Sequence, residues 1–233
     1  MNAADRERRV RNAYRRERRR LQRLHLFENA ARARGFLFIG GVDEVGRGPL
    51  AGPVVAACVV TAEPLMLDGL NDSKKVTPAH RVELAAQIRA RVVSWAIGEA
   101  SVEEIDRINI YWASVLAMER ALAALPAPPE YLITDAVRIK SFVPPQEPLI
   151  KGDERCAVVA AASILAKVHR DALLLELDRQ DPRYGFGEHK GYATPQHLAA
   201  LAEFGPCAHH RAAFNPVRLA QLDFRFDDTA QYR

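Results

Sequence analysis

Gly41-Val42-Asp43-Glu44-Val45-Gly46-Arg47-Gly48-Pro49-Leu50-Ala51-Gly52-Pro53-Val54-Val55 is the stretch whose reading decides the fold. Residues 36–45 form an apolar strand pattern that closes on two adjacent carboxylates. Gly46-Arg47-Gly48-Pro49 has the composition of a turn, and residues 53–61 are β-branched and uncharged, as a buried strand should be. Two strands joined by so short a connection are expected to run antiparallel, because a parallel pair needs a long crossover. The sheet is therefore predicted to be mixed, which argues against a doubly wound nucleotide fold.

Working outward from that pair, the pattern alternates. Thr77-Pro78 reads as N-cap and first residue of a helix to about Arg91. A strand follows over 92–100, and Ser101-Val102-Glu103-Glu104 is a capping box opening a helical stretch to about Ala124. Residues 131–135 make a short apolar strand ending on Asp135. A Pro-rich loop leads through 148–150 to Lys151-Gly152-Asp153. Residues 157–179 read as one long helix, and Thr194-Pro195 starts another that Gly205 stops. Strands come first and helices fill the C-terminal third, so the expected architecture is an α/β sheet domain with a C-terminal helical region.

Residues 4 to about 34 read as a single charged helix, rich in Arg, Glu and Ala, with Leu21, Leu24, Phe27 and Ala31 forming a thin apolar stripe near its end. The net charge of +4 hides an asymmetry. Residues 1–36 hold 12 Arg against four acids, while the remainder holds 21 basic and 25 acidic residues. The segment is either a solvated helix or a nucleic-acid arm. The body must attract a polyanion through local basic clusters or through bound cations. Cys58, Cys156 and Cys207 form no CxxC pair, which argues against zinc and disulfides and predicts a cytoplasmic protein. The uncharged run at residues 49–62 is too short to span a bilayer, and no apolar signal segment follows the basic start.

Three positions carry the chemistry. Asp43 with Glu44, Asp135 and Asp153 all fall at strand ends or loops, where open α/β sheets bind ligands. Clustered carboxylates hold hard divalent cations, and a pair of such cations suits phosphodiester hydrolysis. Asp is also the commonplace turn residue, and neighbours on a regular strand face opposite ways, so Asp43 and Glu44 share a site only if the strand ends there. Gly46 and Gly48 let backbone amides approach a sugar or phosphate. Lys74, Lys75, Lys167, Arg170 and His189-Lys190 add positive charge, with Lys167 and Arg170 sharing a helix face that is otherwise read as a solvated edge. Tyr192 follows in a loop. No GxxxxGK[ST], GxGxxG or GxSxG motif occurs; Ser163 lies outside any such setting.

Taken together, these segments resemble bacterial ribonuclease HII. The resemblance rests on residues 41–55 above, on Leu70-Asn71-Asp72-Ser73-Lys74-Lys75, Ile105-Asp106-Arg107-Ile108-Asn109-Ile110 and Lys151-Gly152-Asp153. It continues through residues 160–168 with Arg170-Asp171, Tyr184-Gly185-Phe186, His189-Lys190-Gly191-Tyr192, His209-His210-Arg211 and Phe214. It covers roughly residues 21–218 and implies a ribonuclease H-like α/β fold, a mixed sheet flanked by helices. The implied domains are a basic N-terminal extension at 1–35, a catalytic domain at 36–218 and a tail at 219–233. It implies four carboxylates, Asp43, Glu44, Asp135 and Asp153, binding two Mg²⁺ or Mn²⁺ ions. Gly46, Arg47 and Gly48 would read the 2′-hydroxyl, and Tyr192 the junction, with Lys74, Lys75 and Lys167 toward substrate. The implied reaction is cleavage of the RNA strand of RNA–DNA hybrids, and 5′ of single ribonucleotides in duplex DNA, leaving 3′-hydroxyl and 5′-phosphate ends. A ribonuclease HIII-like nuclease is the alternative, although a short Arg-rich segment is no separate substrate-binding domain. Two stretches depart from the pattern: Glu154-Arg155-Cys156-Ala157-Val158-Val159 where small polar residues and a lysine are usual, and Ala136-Val137-Arg138 after Asp135. Finally, Gln221-Leu222-Asp223-Phe224 with Phe226 resembles peptides that bind the bacterial sliding clamp. The chain is expected to be a monomer with no membrane association.

Overall fold

A computed structural model describes residues 3–230, with side chains described over 5–222. Its sheet has five strands in the order β3-β2-β1-β4-β5. The strands are β1 (Ile39–Val45), β2 (Val54–Thr61), β3 (Ser94–Ala100), β4 (Tyr131–Asp135) and β5 (Gln146–Leu149). β1 lies at the centre, antiparallel to β2 and parallel to β4, while β2–β3 is antiparallel and β4–β5 parallel. The mixed sheet expected from the short β1–β2 connection is present. β5 is a strand the sequence did not announce. It holds Pro148, which an edge strand tolerates because its other side needs no ladder donor.

Each face of the sheet carries one principal helix. α6 (Ala157–Gln180) covers the side of Ile39, Val55, Ala57 and Val59. α4 (Val102–Ala123) covers the side of Val42, Val54, Ala56 and Cys58. The first half of α6 is a run of small apolar residues, buried from Ala157 to Ala166. It approaches β1 so closely that a Cβ on Gly41 would stand 2.4 Å from the backbone carbon of Val158. The glycine is therefore a packing requirement.

The remaining helices are α1 (Ala3–Leu24), α2 (Leu26–Ala33), α3 (Pro78–Arg91), α5 (Gly152–Arg155), α7 (Phe186–His189), α8 (Pro195–Phe204) and α9 (Asn215–Ala230). The Thr77, Ser101 and Thr194 caps sit where their sequences place them. Two expected single helices are broken. The one expected over 4–34 splits at His25, whose ring donates to the Leu21 carbonyl at 2.7 Å. The other is interrupted at Asn109 (φ +65°), whose side chain caps a new start by accepting from the Tyr111 and Trp112 amides. α9 runs across the boundary expected at residue 218.

The break at His25 turns α2 into the body. Residues 5–16 are exposed, but Leu21, Leu24 and Ala31 belong to the core. Glu17 accepts from the Gly69 amide, and Arg20 donates to the Leu70 carbonyl. Most telling is Glu28, 1% exposed, whose carboxylate accepts from the Val158 amide at 2.9 Å. Cys156, at the start of α6, offers no side-chain cap, so a carboxylate from α2 caps the helix beneath β1 and meets its positive dipole end. Glu28→Ala is expected to destabilise the fold by about 1–2 kcal/mol, the usual worth of a lost N-cap, measured by denaturant unfolding. An unchanged midpoint would show that water replaces the cap.

Candidate active site

The carboxylates converge because three strands end at the same edge. The β1–β4 register pairs Val42 with Thr134, so the next residues along, Asp43 and Asp135, stand side by side. β4 pairs in parallel with β5, which ends at Leu149 and passes through Lys151 (φ +57°) into α5, the turn that carries Asp153. The Gly152 amide donates to the Asp135 carboxylate at 2.8 Å, tying the two turns together. Asp43 points to the α6 side and Glu44 to the other. Both line one cavity of about 320 Å³ because it lies across the end of β1, one residue before Gly46 turns the chain away. That answers the objection raised by strand alternation.

Lining the same cavity are Gly46, Arg47, Gly48, Lys74, Asp135, Asp153, Lys167 and Tyr192. Lys75 is the one expected substrate residue outside this lining. It pairs at 3.1 Å with Glu154, an acid in the stretch that departs from the family pattern. Four further residues belong to the cavity: Val45, Ser73, Ser163 and Arg170. Ser163 lacked any nucleophile motif and stands beside Asp43 instead, its hydroxyl 3.0 Å from that of Ser73.

The electrostatics are those of crowded acids. Asp43 is 4% exposed, and burial pushes its pKa well above the usual carboxylate range, with repulsion from Glu44, Asp135 and Asp153 adding to the rise and Ser163 opposing it. Glu44 is raised by burial against the pull of Arg47, which lies 3.1 Å away. Asp153 is also raised, by burial and then by Asp72 and Asp135, with Lys74 opposing from 3.9 Å. Burial works against the Lys74 ammonium, but Asp72, Asp153 and Asp43 outweigh it and raise its pKa. One oxygen of Glu44 is buried without a hydrogen-bond partner. A hard, all-oxygen donor set with mutual repulsion and an orphaned acceptor fits a divalent cation. Among the described residues, no three of the acids close around a single point.

The glycine loop is held from below by two buried guanidiniums. Arg170, 1% exposed, donates to the carbonyls of Ala51, Pro53 and Lys190. Arg211, fully buried, donates to those of Gly46, Arg47, Pro49 and Gly52. Of the two readings of the Lys167–Arg170 face, the solvated edge does not hold for Arg170, which is buried under the loop it bonds and lines the cavity. Gly46 (φ +91°) is obligatory there, since a Cβ would lie 2.2 Å from the Arg170 Nε. Facing the loop, Tyr192 is half-exposed, and a Cβ on Gly48 would come within 3.6 Å of its ring.

A raised folded-state pKa means that Asp43 binds its proton more tightly folded than unfolded. Its contribution to stability is therefore present at acid pH and lost as pH rises through the folded value. In chelator, Asp43→Asn should melt at a higher temperature than the wild type at neutral pH. The gap should close as pH falls toward the ordinary aspartate range. A variant melting lower at neutral pH would show that Asp43 is satisfied rather than strained.

Comparison with known proteins gives the family. The family profile described as Ribonuclease HII matches residues 40–217. A curated Ribonuclease HII of Pelotomaculum thermopropionicum is 53% identical over 201 residues, covering 85% of this chain and 76% of that protein. Among solved structures, the ribonuclease H2 of Pyrococcus horikoshii shares the fold with a TM-score of 0.69 at 25% identity, over 81% of this chain and 99% of that one. The RNase HII of Archaeoglobus fulgidus, solved as a complex with PCNA, gives 0.58 at 27% identity, over 76% and 96%. With a profile match across most of its length and a relative more than half identical, the chain belongs to the ribonuclease HII family of ribonuclease H enzymes.

Proposed function

We propose that the protein hydrolyses the phosphodiester on the 5′ side of a ribonucleotide, in RNA–DNA hybrids and at single ribonucleotides in duplex DNA, leaving a 3′-hydroxyl and a 5′-phosphate. The observation that carries this reading is the convergence of Asp43, Glu44, Asp135 and Asp153 on one cavity beside a glycine loop and a tyrosine. These four acids would hold two divalent cations, Mg²⁺ or Mn²⁺. Such ions, when bound, lower the pKa of an attacking water and neutralise charge on the leaving oxygen.

The chain's own groups do the rest. The loop at Gly46–Gly48 brings backbone within reach of a ribose 2′-hydroxyl, the one group that separates RNA from DNA. Tyr192, across from Gly48, packs against the sugar. Arg47 and Lys74, both at the cavity and solvent-accessible, meet phosphates. Lys167 is held at 2.6 Å by Asp171, so its charge is partly spent within the fold.

A labelled DNA duplex with one ribonucleotide tests the reading. Cleavage is expected with Mg²⁺ or Mn²⁺, none in chelator, and none on an all-DNA duplex. Asp43→Asn, Asp135→Asn and Asp153→Asn should each lose about 10²- to 10³-fold or more, the cost of removing a preorganised charge, while remaining folded. Full activity in chelator, or equal cutting of the all-DNA duplex, would overturn it.

A clamp contact is a second element of the proposal. The Archaeoglobus fulgidus enzyme was solved bound to a clamp, PCNA, and here Gln221 and Leu222 are at least partly exposed on α9, whereas Asp223–Phe226 lie outside the described side chains. A peptide of residues 217–233 should bind purified sliding clamp, and its Gln221→Ala, Leu222→Ala form should not. Equal behaviour of the two peptides would remove this element.

A further inference from the structure

Behind Tyr192 lies a chain of hydrogen bonds that fixes every proton in it. His197 is fully buried and His210 is 4% exposed. The Cys207 amide stands 3.0 Å from the Nδ1 of His210, the two Nε2 atoms of His210 and His197 are 2.9 Å apart, and the Nδ1 of His197 is 2.9 Å from the Tyr192 carbonyl. An amide N–H only donates and a carbonyl only accepts. His210 therefore accepts at Nδ1 and carries its proton on Nε2. That proton goes to the Nε2 of His197, whose own proton is on Nδ1 and goes to Tyr192. One arrangement satisfies all three contacts, and both rings are neutral in it.

We propose that His197 and His210 are positioning residues that set the place of the Tyr192 ring against the glycine loop through this one-way chain. The proposal rests on the reading of Tyr192 as a sugar contact. The chain has nothing to spare. A second proton on His210 would face the Cys207 amide, and one on His197 would face the proton of His210. The surroundings hold both rings neutral. Burial pushes His210 down to about 4, helped by His197, with His209 also lowering it and Asp181 opposing. Burial lowers His197 as well, and His189, stacked on it at 4.4 Å, adds to the fall. The Cys207 thiol lies 3.1 Å from the His210 Nδ1, and Tyr184 and Phe186 close the pocket by ring contacts. Two further contacts pin the same turn: the Gly191 carbonyl accepts from the Leu50 amide at 2.7 Å, and the Lys190 carbonyl accepts from Arg170. Tyr192 itself donates its amide to the His189 carbonyl at 3.0 Å and accepts at its carbonyl from the Thr194 amide at 2.8 Å, and the histidine chain adds to these backbone bonds the side-chain contact on the same carbonyl.

Two measurements test this. The first, independent of activity, is the ring nitrogen spectrum by NMR. His210 should show the Nε2–H tautomer and His197 the Nδ1–H tautomer, with neither titrating across the neutral range. The opposite tautomers, or a titration near neutrality, would overturn the chain whatever Tyr192 does. The second is kinetic, on the single-ribonucleotide duplex. His197→Ala should lower kcat about 10- to 100-fold, the scale of a small misplacement. His197→Asn, which keeps a donor toward Tyr192, should recover most of it. In a Tyr192→Ala background neither change should matter further. The same loss in that background, or no rescue by Asn, would assign the histidines to general packing. His210→Gln, which keeps a donor toward His197, serves the same comparison if His197→Ala does not fold. If the tautomers are as drawn but Tyr192→Ala cuts normally, the sugar-contact reading has failed and the chain is a scaffold for the turn alone.

Discussion

The site depends on two arginines that have exchanged water for backbone carbonyls. The segment from Gly46 to Pro53 connects two central strands, so it is buried at its base, yet as a loop it has no ladder to satisfy its acceptors. Orphaned carbonyls there would each cost about 1–3 kcal/mol. Arg170 and Arg211 supply the donors, reaching residues 117 to 165 positions away in sequence. Burial lowers the Arg170 guanidinium to about 10 and that of Arg211 to about 9, with Asp106 opposing the fall for Arg211. Asp106 in turn accepts from the amides of Ala212 and Ala213. The charge is thus distributed over carbonyl dipoles rather than joined to a carboxylate in a direct pair. That arrangement leaves the carboxylates of the cavity free of the scaffold that holds the loop.

The two sets of charged groups solve opposite problems. Beneath the loop, buried cations are satisfied by geometry alone. In the cavity, buried acids are deliberately under-satisfied, and their raised pKa values record the strain. Perturbed groups of this kind concentrate at functional sites. Here the perturbation has a nameable origin in topology: parallel pairing of β1 with β4 and of β4 with β5 forces acids at adjacent strand ends to share one space.

What could be read in advance follows the range of the interaction involved. The caps at Thr77, Ser101 and Thr194 were legible because a cap is settled within three or four residues. Strands β1 to β4 were legible from their apolar, β-branched runs, whereas β5, with Pro148 in it, was not, and the four acids were legible from their places at strand ends and loops. Arg170 was not, because the difference between a solvated and a buried arginine lies in the carbonyls of a distant loop. Glu28 looked like one more charge on a basic helix; only the docking of α2 against α6 makes it a cap. His210 stood in a quoted motif without a role, since tautomers are decided by partners in three separate turns. The breaks at His25 and Asn109 were missed because both residues are compatible with a helix interior, and tertiary packing chose otherwise.

Within the cavity the cationic groups are not spread evenly. Arg47 lies against Glu44 and Lys74 against Asp153, both toward the rim, where side chains remain solvent-accessible. Asp43, at the floor, is bonded instead by the Glu44 amide and faces the Ser163 hydroxyl, neither of which carries charge. Attraction between unit charges strengthens as the local dielectric falls, so a cation held as proposed would meet its strongest attraction at the end of β1. Arg47 and Lys74 stay at the rim, where an anion in solvent can reach them. The order of burial along three strand ends thereby separates the place where positive charge is wanted from the place where it is already supplied.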